Sequence, residues 1–197
     1  MKKSLTLIAL TITISMNAQF NTNYGDTALN NITSGTYNTA FGYKSLFSNT
    51  EGKYNTAHGA LSLEKNTEGQ TNIAFGFSVL QNNTTGDANT AIGNRSMETN
   101  TTTGGHTAVG YQAGYSNTTG SITVFGYKAG YAGSTAVYNT AFGKQSLTAA
   151  TAGGNTAFGD LTLLSNTTGI ENTAVGGSLA SSSALRTNTS GSYNIGV

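Results

Sequence analysis

Two carboxylates, Glu51 and Glu68, stand 17 residues apart, each inside an Asn-Thr-Glu-Gly segment. If the chain repeats with that period, they stack about 5 Å apart, close to the spacing of a retaining glycosidase pair. Both lie in a turn beside Lys53 and Lys65, with no concave pocket implied. The expected role is a solvated charge cluster. Asp26 and Asp160 hold equivalent positions but lie eight repeats apart, too far to cooperate. His58 and His106 are about three repeats apart and cannot share a metal ion. The chain has no Cys, which removes disulfides and thiolate metal sites. Gly143-Lys144-Gln145-Ser146 lacks the spacing of a phosphate-binding loop, and no Ser-His-Asp set or calcium-type Asp repeat occurs. The expectation is a protein without catalysis, cofactor or metal.

The aromatic residues carry more binding chemistry. Tyr43, Phe77, Tyr111 and Tyr127 each follow a regularly spaced glycine, and Lys44, Arg95, Gln112 and Lys128 stand one position later in the repeat. Aromatic faces with polar neighbours hold sugars or protein partners, and they also pack one chain on another. Tyr43, Phe77, Tyr111, Tyr127, Lys44 and Lys128 are therefore the expected ligand or partner surface. A neighbouring column of threonines has two readings: ordinary strand propensity, or an array that orders water and binds ice. The Phe positions beside it, where a second threonine would be needed, weigh against ice.

These positions depend on a repeat. The motif Asn-Thr-Ala-apolar-Gly has its glycines at 25, 42, 59, 76, 93, 110, 126, 143, 159 and 176, in steps of 17 residues with two of 16. One residue before the glycine comes a column that includes Tyr24, Phe41, His58, Phe75, Ile92, Phe125, Phe142 and Phe158. Two before it, Ala recurs at 40, 57, 74, 91, 108, 141, 157 and 174, with Thr at most positions three before. Four after it runs Leu29, Leu46, Leu63, Leu80, Met97, Leu147 and Leu163, with Gly114 and Gly130 as gaps. A turn of the form Asn-Thr-x-Gly follows in many copies, as at 49–52 and 66–69.

Thr, Phe, Ile and Val favour extended backbone, whose side chains alternate between faces. Thr and Phe of the motif thus share one face, and Asn, Ala and Gly the other. Seventeen residues are too few for two packed helices but enough for two short strands and two turns. One such coil cannot bury its own apolar face, whereas stacked coils can. The prediction is an all-β parallel β-solenoid, or β-roll, of about ten 17-residue coils and roughly 45–50 Å long at 4.8 Å per coil. Positive-φ corners fall to the Asn-x-x-Gly segments, and the Asn columns are expected to form side-chain ladders. Of the two apolar columns, Ala–Gly and Phe/Ile/Val, one fills the coil and the other lies between chains.

Composition and the chain ends complete the expectations. Only 9% of residues are charged, at a formal net charge of +1, which argues against nucleic-acid binding. Met1-Lys2-Lys3 followed by the apolar run Leu5 to Met16 reads as a signal peptide over residues 1–18, leaving residues 19–197 as the exported solenoid. No later segment is apolar enough to span a membrane. Near the other end, Gly191 to Ile195 resembles the run into a new coil after a five-residue insertion around Ser181–Thr187. The last coil is therefore expected to be incomplete, truncated or covered by a partner.

The coils Asn38-Thr39-Ala40-Phe41-Gly42-Tyr43-Lys44-Ser45-Leu46 and Asn139-Thr140-Ala141-Phe142-Gly143-Lys144-Gln145-Ser146-Leu147 resemble two related groups. One is the β-roll head of trimeric autotransporter adhesins, with its Ser-Val-Ala-Ile-Gly-type motif. The other, closer in wording, is the repeat region upstream of intramolecular chaperone domains in phage tail-fibre and tail-spike proteins. The resemblance covers residues 21–197. It implies a homotrimeric fibre module, secreted or at the cell surface, that attaches to a surface through a glycan or protein receptor. Stalk heptads, outer-membrane anchor strands and a chaperone domain are not seen, and the coil is longer than is usual in the adhesin heads. A stand-alone secreted ice- or glycan-binding solenoid is the alternative.

Overall fold

Each Thr-Ala-aromatic triplet takes the extended backbone its residue types favour, and each lies against the same triplet one coil later. The computed structural model describes residues 20–133, 137–177 and 183–197, so the expected signal peptide, residues 1–18, lies outside the described residues. Eleven short strands result: β1 (Thr22–Tyr24), β2 (Thr39–Phe41), β3 (Thr56–His58), β4 (Ile73–Phe75), β5 (Thr90–Ile92), β6 (Thr107–Val109), β7 (Ile122–Phe125), β8 (Asn139–Phe142), β9 (Thr156–Phe158), β10 (Thr173–Val175) and β11 (Ile195–Gly196). They form one sheet in chain order, and every pairing is parallel. Like residues face like: Thr39 pairs with Thr56, Ala40 with Ala57 and Phe41 with His58. The described residues contain no helix, and none long and apolar enough to cross a membrane. The chain is an all-β parallel β-solenoid.

The alternation of faces settles which apolar column fills the coil. Ala40, Ala57, Ala74 and Ala91 are fully buried, as are Leu46, Leu63, Leu80 and Met97 facing them. Alanine on one wall leaves room for leucine from the other, and each buried leucine contributes about 1.5–3 kcal/mol. Phe41, Phe75 and Phe158 point outward instead.

The expected second strand of a coil does not form among the described residues. Lys44 and Leu46 both take left-handed backbone, at φ 54° and 49°, and the same two positions do so in coil after coil. Alternate left-handed residues cannot make a strand. They still hold one coil to the next, since the N–H of Leu46 donates to Ser62 O at 3.0 Å and that of Leu63 to Val79 O at 3.0 Å.

The glycines also divide their work differently from expectation. In most coils the positive-φ glycine is the motif residue itself, such as Gly42 at φ 125°, while Gly120 of the Asn117–Gly120 turn takes φ 64° as expected of that segment. Gly52, in the Asn-x-x-Gly turn, is there for lack of space: a Cβ would sit 2.3 Å from Asn49 Oδ1 and 2.5 Å from Gly69 O. The positive-φ corner beside that turn is taken by Tyr37, Tyr54 and Thr71.

Two Asn ladders run through the interior. In the first, the N–H of Asn55 donates to Asn38 Oδ1 at 3.0 Å and that of Asn72 to Asn55 Oδ1 at 2.9 Å. In the second, Asn66 Nδ2 donates to Asn49 Oδ1 at 2.8 Å, and Asn83 Nδ2 to Asn66 Oδ1 at 2.9 Å. The ladders meet at a glycine carbonyl: Gly52 O accepts from Asn38 Nδ2 at 2.8 Å and from Asn49 Nδ2 at 3.0 Å. Buried amides cost stability when unpaired and rigidify a core when paired. These are paired.

The gaps at Gly114 and Gly130 are filled from across the coil. Where leucine is missing, Ile122 replaces an Asn and Val124 an Ala, and both are buried. A Cβ at Gly114 would lie 2.9 Å from Ile122 Cδ1, and one at Gly130 would lie 2.9 Å from Val124 Cγ1. A small cavity remains between Asn117, Val124, Gly130 and Leu147. Asn117 Oδ1, where the second ladder stops, is buried there without a hydrogen-bond partner. At the far end Thr173 pairs with Ile195, 22 residues on, and the left-handed leucine position resumes at Leu185. The extra residues thus fall between Gly176 and Leu185, overlapping the segment expected from sequence.

Candidate ligand and partner surfaces

Two outward features carry the chemistry. The first is the exposed face of the sheet. Tyr24, Phe41, His58 and Phe75 stack ring on ring at centroid distances of 4.8, 5.3 and 4.3 Å. Phe125, Phe142 and Phe158 stack at 4.7 and 5.2 Å. Ile92 and Val109 bridge the two stacks through the pairings of β4 to β7. Phe41, Phe75 and Phe158 are 41%, 47% and 55% exposed. Thr39, Thr56, Thr90 and their equivalents stand on the same face, two residues away, so each threonine has an aromatic or aliphatic neighbour along its own strand. His58 belongs to this stack and is exposed.

The second feature is the ridge that follows the motif glycine, where the residues singled out from sequence lie. Tyr111 and Tyr127 come together, with ring centroids 5.4 Å apart and planes within 13°. Tyr43 and Phe77 do not join them. The coil bearing Ala60 separates Tyr43 from Phe77, and the coil bearing Asn94 separates Phe77 from Tyr111. The basic residues fold back onto rings rather than standing free. Lys44 Nζ lies 5.5 Å from the Tyr43 centroid and 5.4 Å from that of Phe47. Lys128 Nζ lies 5.6 Å from Tyr127 and 5.3 Å from Tyr131. Each is a cation held between two aromatic rings.

Sequence reasoning missed the outer partners in these units: Phe47, Tyr115, Tyr131 and Glu98. Tyr115 and Tyr131 stack at 5.2 Å. Arg95 sits over Tyr115 at 5.2 Å and grips Glu98, with Nε donating to Oε2 at 2.6 Å and Nη2 to Oε1 at 3.2 Å. That bond and charge raise the Arg95 pKa further above its ordinary value. Lys44 is paired as well, 3.7 Å from Glu64 Oε1. The column five residues after the glycine mixes Asn30, Phe47, Glu64, Gln81, Glu98, Tyr115 and Tyr131. Its only signal was the recurrence of rings at three of these positions.

The remaining sequence candidates stay apart. Glu51 and Glu68 are exposed on the turn, as expected of a solvated pair. His106 is buried in the first ladder, where its Nδ1 accepts the Ile122 N–H at 3.2 Å and its Nε2 meets Thr103 Oγ1 at 2.9 Å. Burial lowers its pKa to about 4, so the ring is neutral and serves in place of an Asn oxygen. No group of three or more His, Asp or Glu able to hold a metal occurs among the described residues.

Fold and surface together define a parallel β-solenoid with an apolar sheet face and an aromatic, cation-bearing ridge. No family model, curated protein or solved structure matches the chain.

Proposed function

We propose that this protein is an exported structural and adhesive fibre module, without catalysis, whose solenoids associate as a homotrimer through the sheet face. The observation that carries this reading is the continuous outward-facing column on β1 to β10, apolar at every coil except that of His58 and aromatic over most of its length. Its size is right for association. Aromatic side chains carry about 150–250 Å² each, so Tyr24, Phe41, Phe75 and Phe158, at 69%, 41%, 47% and 55% exposure, offer roughly 300–500 Å², and the remaining ring, aliphatic and threonine positions bring the face towards the roughly 800 Å² per partner of a standard interface. In-register columns favour association of identical chains, since each ring meets its equivalent at every coil.

Sedimentation equilibrium of the purified chain tests this. Three chain masses are expected for the parent. Phe75→Arg with Phe158→Arg, on outward positions, is expected to leave one chain mass and an unchanged far-ultraviolet circular dichroism spectrum. A monomeric parent ends the reading and favours the stand-alone binding module, for which thermal hysteresis would be the sign of ice binding.

A further inference from the structure

We propose that the ridge around Lys128 binds an anionic glycan, an extended sugar chain bearing carboxylate or sulfate groups. The inference rests on the adhesive reading and names the class of ligand that reading lacks. Three basic residues of one column, Lys44, Arg95 and Lys128, lie against aromatic rings, and two are already neutralised, by Glu64 and Glu98. Those two are the ion pairs among the described residues, and the undescribed segments contain no Asp or Glu. Lys128 keeps its charge uncompensated while two rings fix its position. A preordered, unneutralised ammonium on the surface selects for an anion.

The surroundings fit a sugar chain. Tyr111 and Tyr127, at 42% and 45% exposure, stack on one side of Lys128, and Tyr115 and Tyr131 on the other. Stacking commits one face of each ring to its neighbour and leaves edges, which carry positive partial charge, together with the hydroxyls of Tyr111, Tyr127 and Tyr131, that of Tyr115 being engaged by Arg95 and Glu98. These groups recur once per coil, about 4.8 Å apart, a step comparable to one sugar ring along an extended polysaccharide. One coil further on, Lys144 takes the place of Tyr127 in its column, and Asp160 beyond it is held by the Lys144 N–H at 2.8 Å. An anionic chain lying along the ridge thus meets Lys128 and then Lys144.

The test is calorimetric titration of the full chain with polygalacturonate oligosaccharides, chondroitin sulfate, neutral malto-oligosaccharides and polyglutamate. Binding of one or both anionic glycans is expected, and which of them binds tells carboxylate from sulfate. Lys128→Met should weaken that binding at least tenfold, and Tyr131→Leu, which releases the ammonium from one of its rings, several-fold. Lys44→Met should leave it unchanged. The idea is overturned if no anionic glycan binds, if neutral sugars or polyglutamate bind as well, or if Lys44→Met costs as much as Lys128→Met. Sedimentation of the same variants keeps this result apart from the assembly reading: loss of glycan binding in a trimer refutes the site alone.

Discussion

Replacing Gly130 by leucine restores the residue that most other coils carry at this position, yet it should destabilise the protein. The backbone is not the obstacle, because Gly130 has φ 60° and Leu147, one coil on, adopts 49°. Val124 is the obstacle: a Cβ at Gly130 would lie 2.9 Å from its Cγ1, in a buried site. Overpacking of this kind costs about 2 kcal/mol. Val124→Ala alone removes two buried carbons, at about 0.8 kcal/mol each plus the void left behind, or roughly 2 kcal/mol. The double variant rebuilds the Ala–Leu pair seen at Ala141 and Leu147, and the small cavity beside Gly130 gives the new side chain room. It should fall within about 1 kcal/mol of the parent, so the two changes couple by about 3 kcal/mol, the upper end for residues in contact. Native-state hydrogen exchange reads this locally, since the Gly130 N–H donates to Ser146 O at 2.9 Å and the Gly114 N–H to Ala129 O at 2.9 Å. Protection of both amides should drop in each single variant and return in the double. Additive losses would refute the view that valine and glycine have exchanged volume with alanine and leucine.

Acid should act through His106. Its pKa is lowered to about 4 in the folded state, against an ordinary value near 6.5, so the unfolded chain binds the extra proton first. Stability is therefore full above about pH 6.5 and lost as the pH falls towards 4, by about 3 kcal/mol in all; in His106→Asn the urea midpoint should lose most of this slope between pH 7 and 4.5. Asn55→Ala should cost about 3–4 kcal/mol, because it strips the Asn72 N–H and Nδ2 of their acceptor at 2.9 and 3.1 Å and Gly69 O of a donor at 2.7 Å. Thr56→Ala, one residue along but facing outward, should stay within about 0.5 kcal/mol in the same urea titration.

What the sequence made legible was everything that depends on phase. The 17-residue spacing of Thr39, Thr56 and Ile73 is the register of β2, β3 and β4, whereas spacing alone left open which face of the strand turns inward, and the burial of Ala40 decides it. The return half of the coil was illegible for a definite reason. Lys44 and Leu46 are ordinary L-residues in a region such residues avoid, and only the contacts of neighbouring coils hold them there. The exchange of Val124 for Ala and Gly130 for Leu looked like two unrelated lapses in two columns, because they are six positions apart and meet only across the core. On the ridge, Tyr111 with Tyr127 could be read from adjacent coils. The second half of each cation unit could not, since Phe47 and Tyr131 belong to a column of mixed residue types.

The parallel register also separates the length of this molecule from its cross-section. Each strand is hydrogen-bonded only to the strands before and after it, so nothing in the interior measures how many coils there are. Excising residues 60–76 would join Gly59 to Phe77 with every column still in phase, giving a rod about 4.8 Å shorter and otherwise alike. A gene that duplicates or loses such a cassette changes reach without redesigning the core.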